Sequence, residues 1–143
     1  MKIIFLVFAF TFTLFAAHID EFASNMGYHR DYKSALSQAK KEDKVIMLVL
    51  VGDYCPWCRK FERKTLKRAK VAINIQNNFI PVIVDKYLDK GKYPKKYFSQ
   101  VVPTVYFIEP KKEEQIFESL GYIKRNEYQE LLNGVTKTYK GMK

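Results

Sequence analysis

Cys55 and Cys58 are the only cysteines of the chain, and both stand in one tetrapeptide, Cys55-Pro56-Trp57-Cys58, directly after an apolar run. All sulfur chemistry is therefore confined to this place. Two intervening residues are the spacing at which a helix start brings two sulfurs within disulfide reach. A bridge between them closes almost no loop, so it can open and close without unfolding the domain and adds little as a staple. At a helix N-terminus Cys55 would face unpaired backbone N–H groups and the positive end of the helix dipole, which favour thiolate over thiol. Arg59 and Lys60, in the next turn, add to that bias. Cys58 would lie one turn further in on the same face, more buried, and able to displace a substrate from a mixed disulfide. Pro56 is tolerated because first-turn N–H groups lack helical partners in any case. Trp57, the single tryptophan, reads as a substrate platform or as a cover over the sulfurs. Other sulfur chemistries fit less well. Zinc needs four ligands, and His18 and His29, both near the N-terminus, complete a poor set. Covalent haem attachment needs a histidine after Cys58, where Arg59 stands.

The elements that must position this motif are legible in the hydrophobic pattern. Asp31 caps a helix running to about Lys41, with Tyr32, Ala35, Leu36 and Ala39 on its inner face. Val45 to Val51 is an unbroken apolar run, the signature of a central strand covered on both sides. Gly52, Asp53 and Tyr54 turn the chain, and the cysteine motif opens the next helix, with Phe61 and Leu66 inside and Glu62 on its surface. A short helix over about Lys70 to Gln76 follows, and then a second buried strand, Phe79 to Val84, ending at Asp85. Residues 86–96 read as a solvated, lysine-rich loop. Thr104 to Ile108 and Gln115 to Leu120 form a strand hairpin around Pro110-Lys111-Lys112-Glu113, Gly121 ends it, and Arg125 to about Lys137 is an amphipathic helix. Residues 18–30 read as a polar lead-in. The order is a βαβ unit joined to ββα, in one domain with no internal repeat.

This order resembles the thioredoxin fold, and the matching residues are specific. A strand runs straight into Cys55-Pro56-Trp57-Cys58 at a helix start. Some 45 residues beyond Cys58, Val102-Pro103-Thr104 opens a strand where thioredoxin-like proteins keep a cis-proline, and Gly121 precedes the last helix. Closest in character are exported thioredoxin-like proteins that open with a helix, among them the reductant-carrying domain of the Dsb system. The resemblance implies an α/β fold with a central mixed four-stranded sheet flanked by helices and an N-terminal helix before the first strand. It implies thiol:disulfide exchange, with Cys55 as nucleophile, Cys58 as resolving cysteine, and Pro56, Trp57, Tyr54 and Asp53 in support. Val102, Pro103 and Thr104 would pair with an extended substrate segment as an added strand. No cofactor is implied beyond the redox-active Cys55–Cys58 pair, and no metal. One position departs from the family: the buried acid expected six residues before the first cysteine is Val49, which leaves Asp53 and Glu62 as nearby candidates for proton handling.

The chain ends bound where such chemistry would occur. Met1-Lys2 followed by the apolar stretch Ile3 to Ala17 has the form of a secretory signal peptide, too short for a comfortable membrane span. Phe15 or Leu14 stands where the cleavage signature prefers a small residue, so an uncleaved anchor over residues 3–17 is the alternative. Residues 18–143 remain as one domain. The 143-residue chain has 25 Lys and Arg against 15 Asp and Glu, a net charge of +10. These charges are spread along the sequence and read as a solvated surface, and export argues against nucleic acid as partner. The expectation is a monomeric periplasmic enzyme that exchanges with client proteins and with an inner-membrane thiol electron donor or acceptor. Reduction of client disulfides is the favoured direction. The alternatives are a dithiol oxidase and a non-catalytic thioredoxin-like binding module.

Overall fold

The computed structural model describes residues 18–143, so the leader assigned to residues 1–17 lies outside the described residues. The chain runs α1 (His18–Met26), α2 (Tyr32–Glu42), β1 (Val45–Val51), α3 (Pro56–Phe61), α4 (Ala69–Asn78), β2 (Phe79–Asp85), β3 (Thr104–Glu109), β4 (Glu114–Leu120) and α5 (Arg125–Gly141). A π-helical segment, Glu62–Leu66, prolongs α3, and a 3-10 turn, Lys95–Tyr97, precedes β3. Among the described residues no helix is long and apolar enough to cross a membrane.

The strands form one mixed sheet in the order β2-β1-β3-β4. β1 pairs in parallel with β2, Val45 opposite Phe79 through Val51 opposite Asp85, and antiparallel with β3, which pairs antiparallel with β4. Every residue of β1, β2 and β3 is buried, because helices cover both faces and an uninterrupted apolar strand is the pattern such a position demands. Alternate side chains of β1 divide the core in two. Val45, Met47, Val49 and Val51 pack with Phe22, Phe61, Ile75 and Tyr128. Ile46, Leu48 and Leu50 pack with Ala35, Ala39 and Tyr97 on the other side. The mixed sheet flanked by helices, with helix before strand, is the architecture expected from the sequence.

Local signals set the helix ends. The Asp31 side chain accepts the Ser34 backbone N–H at 2.8 Å, and Asp43 closes α2 in the left-handed region at φ +52°. At the far end α5 runs on to Gly141, because Tyr139 is buried and its hydroxyl donates to Asp43 Oδ1 at 2.8 Å.

Three expectations need correction. Residues 18–26 are a helix rather than a polar lead-in: Ile19, Phe22 and Ala23 are buried at helical spacing against the sheet. The segment after α1 also touches the sheet edge, where His29 forms an isolated parallel bridge with Val82. Glu62 is not a surface residue but 2 % exposed. The loop 86–96 is not uniformly solvated, since Lys86 and Asp89 are buried. Lys86 Nζ donates to the Gln100 carbonyl at 2.9 Å. Asp89 accepts from Arg30 Nη1 (2.8 Å), Lys92 Nζ (2.9 Å) and the Asp85 backbone N–H (2.8 Å).

Two tests follow from this packing. Leu48→Ala removes a fully enclosed side chain from the central strand and is expected to cost about 3 kcal/mol, read from urea unfolding with an unchanged m value. For Asp89, burial pushes the carboxyl up, but hydrogen bonds from Arg30, Lys92 and the Asp85 amide outweigh it and hold the group below its ordinary value. A depressed carboxyl contributes stability above its unfolded pKa of about 3.9 and loses it as pH falls through the folded value. Asp89→Asn is therefore expected to lower the melting temperature at neutral pH and to flatten its decline below about pH 4.

Candidate redox site

β1 ends at Val51, at one end of the sheet, and everything after it must turn. A Cβ placed on Gly52 would sit 3.5 Å from Val102 Cγ2 and 3.7 Å from Cys55 Cβ, so the backbone passes closely beside both. Asp53 and Tyr54 make the exposed turn that follows, with Tyr54 98 % exposed. Cys55 is the N-cap of α3 in extended conformation, and its Sγ accepts the Cys58 backbone N–H at 3.1 Å. Pro56 occupies the first turn, where its missing N–H leaves no gap. Cys55 and Cys58 form a disulfide with Cα atoms 5.2 Å apart. Cys58 is wholly buried while Cys55 is only partly so. Of the two, Cys55 is the one that borders solvent.

The strand-opening tripeptide lies against this pair. The Val102–Pro103 peptide bond is cis, and the Val102 carbonyl oxygen lies 3.8 Å from Cys55 Sγ. The Pro103 carbonyl accepts the Gly121 N–H at 2.7 Å, and Gly121 takes φ +79°, a conformation open to glycine. Thr104 is buried, with its hydroxyl donating to the Val101 carbonyl at 2.7 Å. Segments 52–58 and 101–104 thus meet at Cys55, and Gly121 is tied to the second of them through Pro103. Asp53 and Tyr54 sit on the rim.

Two features were not read from the sequence. The first is a buried carboxylate. Val49 is wholly enclosed in the apolar core, but Glu62, one helical turn beyond Cys58, carries a buried carboxylate. Its Oε2 lies 2.7 Å from His18 Nε2, and its Oε1 lies 3.0 Å from Arg59 Nη2. Burial, and then this carboxylate, push the neighbouring Tyr28 hydroxyl far above its usual range, so it stays neutral. The i to i+4 relation of Cys58 to Glu62 was visible in the sequence; that α1 would bring His18 to cover it was not. The second feature is a stack beside the motif. Trp57 is 55 % exposed and packs on Tyr122 with ring centroids 5.9 Å apart. Lys60 Nζ lies 4.6 Å from the Trp57 ring centroid and 4.7 Å from that of Tyr122, a cation–π arrangement that holds the indole in place. His29 is engaged elsewhere, 2.7 Å from Gln38 Oε1. Among the described residues no group of three or more His, Cys, Asp or Glu could hold a metal ion.

Comparison with known proteins agrees with this fold. The chain is similar in structure to a thioredoxin from Thermus thermophilus, with a TM-score of 0.64, 22 % identity, and coverage of 76 % of this chain and 85 % of that one. It is similar to a DsbH oxidoreductase at TM-score 0.64, 19 % identity, and coverage of 76 % and 83 %. The oxidised C-terminal domain of DsbD from Neisseria meningitidis aligns at TM-score 0.57 and 22 % identity, over 75 % of this chain and 97 % of that one. No curated protein matches the sequence. At these identities the likenesses show the fold. The sequence model of the Thioredoxin-like domain matches residues 32–136, nearly three quarters of the chain, from the first residue of α2 into α5. The chain belongs to the thioredoxin-like domain family.

Proposed function

We propose that the protein is an exported thiol:disulfide oxidoreductase that reduces disulfides of client proteins. The observation that carries this reading is the asymmetry of the pair: Cys55 Sγ is reachable beside the Val102 carbonyl, with Cys58 enclosed behind it. In the reduced protein the Cys58 N–H bond to Cys55 Sγ and the helix start favour the Cys55 thiolate. That thiolate attacks one sulfur of a client disulfide, forms a mixed disulfide and releases the first client thiolate. Cys58 then loses its proton and attacks Cys55 Sγ, which closes the Cys55–Cys58 bridge and releases the second client thiolate. Two electrons pass to the client, whose thiolates take up two protons. A dithiol carrier must then return two electrons, and an inner-membrane donor of the Dsb kind is the partner such a periplasmic cycle requires. Val102, Pro103 and Thr104 offer the edge against which an extended client segment pairs. Asp53 and Tyr54 flank that edge, Pro56 shapes the helix start, and Trp57 provides a platform for apolar client side chains.

Residues 18–143 act as one monomeric domain, and the bridge itself serves as the redox group with no added cofactor. Residues 1–17 supply the export signal or, if uncleaved, a tether. The single domain suits this direction: the segment joining Cys58 to Val102 holds only the end of α3, the π-helical segment, α4, β2, a loop and a 3-10 turn. It leaves no room for the helical insertion of a Dsb oxidase. Glu62 accepts the Cys58 proton during resolution, in place of the acid missing at Val49; its burial one turn from Cys58 supports this role.

Three measurements test these assignments. Cys58→Ser is expected to accumulate a mixed disulfide with a client peptide, seen by mass spectrometry, whereas Cys55→Ser accumulates none and loses turnover; trapping through Cys58 instead would reverse the two roles. The reduction potential of the couple is expected near the roughly −270 mV of thioredoxin, while a value near about −120 mV would make the protein an oxidase. Glu62→Gln is expected to slow resolution roughly tenfold, followed by Trp57 fluorescence, with the first attack by Cys55 unchanged. An equal loss in both steps would instead indicate structural damage.

A further inference from the structure

A groove lined by cations lies beside the redox motif. Its first part, about 500 Å³, is walled by Lys60, Lys64, Arg68, Tyr122, Lys124 and Arg125. A second depression of about 920 Å³ shares Arg68, Arg125 and Asn126 with the first and adds Lys67 and Lys70, so the two form one channel between the α3 extension, the start of α4 and the start of α5. Its inner end is Lys60, which lies over Trp57 and Tyr122, and Trp57 adjoins Cys58. The groove therefore lies beside the redox motif, joined to it by the Lys60–Trp57 contact, and leads away from it.

Lys60 and Lys67 of this groove lie over aromatic rings, but the groove's charges are not neutralised by the fold. Lys44, Lys92, Lys111 and Lys143 each hold a carboxylate. Among the described residues none of the groove cations forms an ion pair. Glu127 and Glu130 are the only acids in the two linings. Arg68 and Lys124 also stand at the N-cap positions of α4 and α5 with no side-chain cap bond, where a helix dipole repels a cation and a neutral or acidic cap would be more stable. Concentrating like charges there costs stability, and an incoming anion offsets that cost.

We propose that this groove docks an acidic segment of the protein partner whose sulfurs exchange with Cys55. The proposal rests on the redox reading above and names the chemistry of the partner. A client or electron donor seated with its reactive sulfur at Cys55 can lay the adjoining chain past Trp57 and into the groove, where Asp and Glu side chains meet Lys64, Arg68 and Arg125. The continuity of the groove with the motif favours such a segment over a flat anionic membrane, which could touch only its rim. Opposite charge along the approach path raises the association rate, and salt weakens the effect.

The test uses two peptides, each closed by one disulfide and identical except that the residues flanking the cysteines are Glu in one and Gln in the other. With the reduced protein at low salt, kcat/KM is expected to favour the Glu peptide roughly tenfold, and the ratio to shrink toward one at about 0.5 M salt. The Lys64→Glu, Arg68→Glu, Arg125→Glu triple variant is expected to invert the ratio. The matching triple to Gln, which avoids new charges and guards against misfolding, is expected to bring it near one. A ratio near one in the unaltered protein, or a preference that survives both triples, overturns the proposal. Co-sedimentation with vesicles of anionic phospholipid, together with a peptide ratio near one, assigns the groove to lipid headgroups and likewise overturns it. Failure to reduce either peptide instead refutes the redox reading, and the docking proposal falls with it.

Discussion

The complete burial of β1 is the constraint from which the rest of the structure follows. A strand hydrogen-bonded to β2 on one side and β3 on the other, with every side chain enclosed, cannot slide or twist without exposing apolar surface to water. Its C-terminal end is therefore a rigid point. Gly52 lets the chain leave that point closely past Val102, and the turn at Asp53 and Tyr54 sets Cys55 at the mouth of α3. Because β1 and β3 share a ladder, Val105 and Thr104 are held opposite Val49 and Leu50, and the preceding Val102–Pro103 unit is brought to the sulfurs by the same register. One strand thus positions both halves of the site, which lie more than forty residues apart in the chain.

Electrostatics around the sulfurs divide into an enclosed part and an open part. The enclosed part is small: Glu62, held between His18 and Arg59 and close to the neutral Tyr28. A buried carboxylate of this kind needs polar or cationic partners drawn to it, and here they are His18 from α1 and Arg59 from its own helix. With Val49 wholly apolar, the buried carboxylate near Cys58 stands on the helix side rather than the strand side. The open part is the reverse, an array of cations at the starts of α4 and α5 and along the α3 extension, with little negative charge to balance it. The two parts lie on different sides of the pair, one beneath the inner sulfur's helix and the other open to solvent.

The strands and helices of residues 31–143 were legible because their signals are local. The period-free apolar run of β1, the Asp31 cap, the hairpin turn at Pro110 to Glu113 and the i, i+3, i+4 spacing in α5 each report what the nearby backbone must do. α1 was not read, although Ile19, Phe22 and Ala23 have helical spacing, because its apolar residues follow directly on the apolar run of residues 3–17 in the sequence. Glu62 was misplaced for a different reason. A single glutamate among Arg59, Lys60, Arg63 and Lys64 has the pattern of a solvated face, and only the arrival of α1 encloses it.

By itself, then, the sequence determined that two sulfurs can pair at a helix start, that a buried strand precedes them and that Pro103 opens a later one, since spacing and hydrophobic pattern are properties of neighbouring residues. Tertiary structure alone decided which charges matter. Whether a lysine or glutamate is paired, buried or free depends on what distant segments bring within a few ångströms. Thus His18 reaches Glu62 across 44 residues, Arg30 reaches Asp89 across 59, and Lys60, Lys64, Arg68, Lys124 and Arg125 share one groove although two of them lie more than fifty residues along the chain from the rest. Charge is long-ranged in space and blind to sequence order, so its pattern emerges only once the chain is folded.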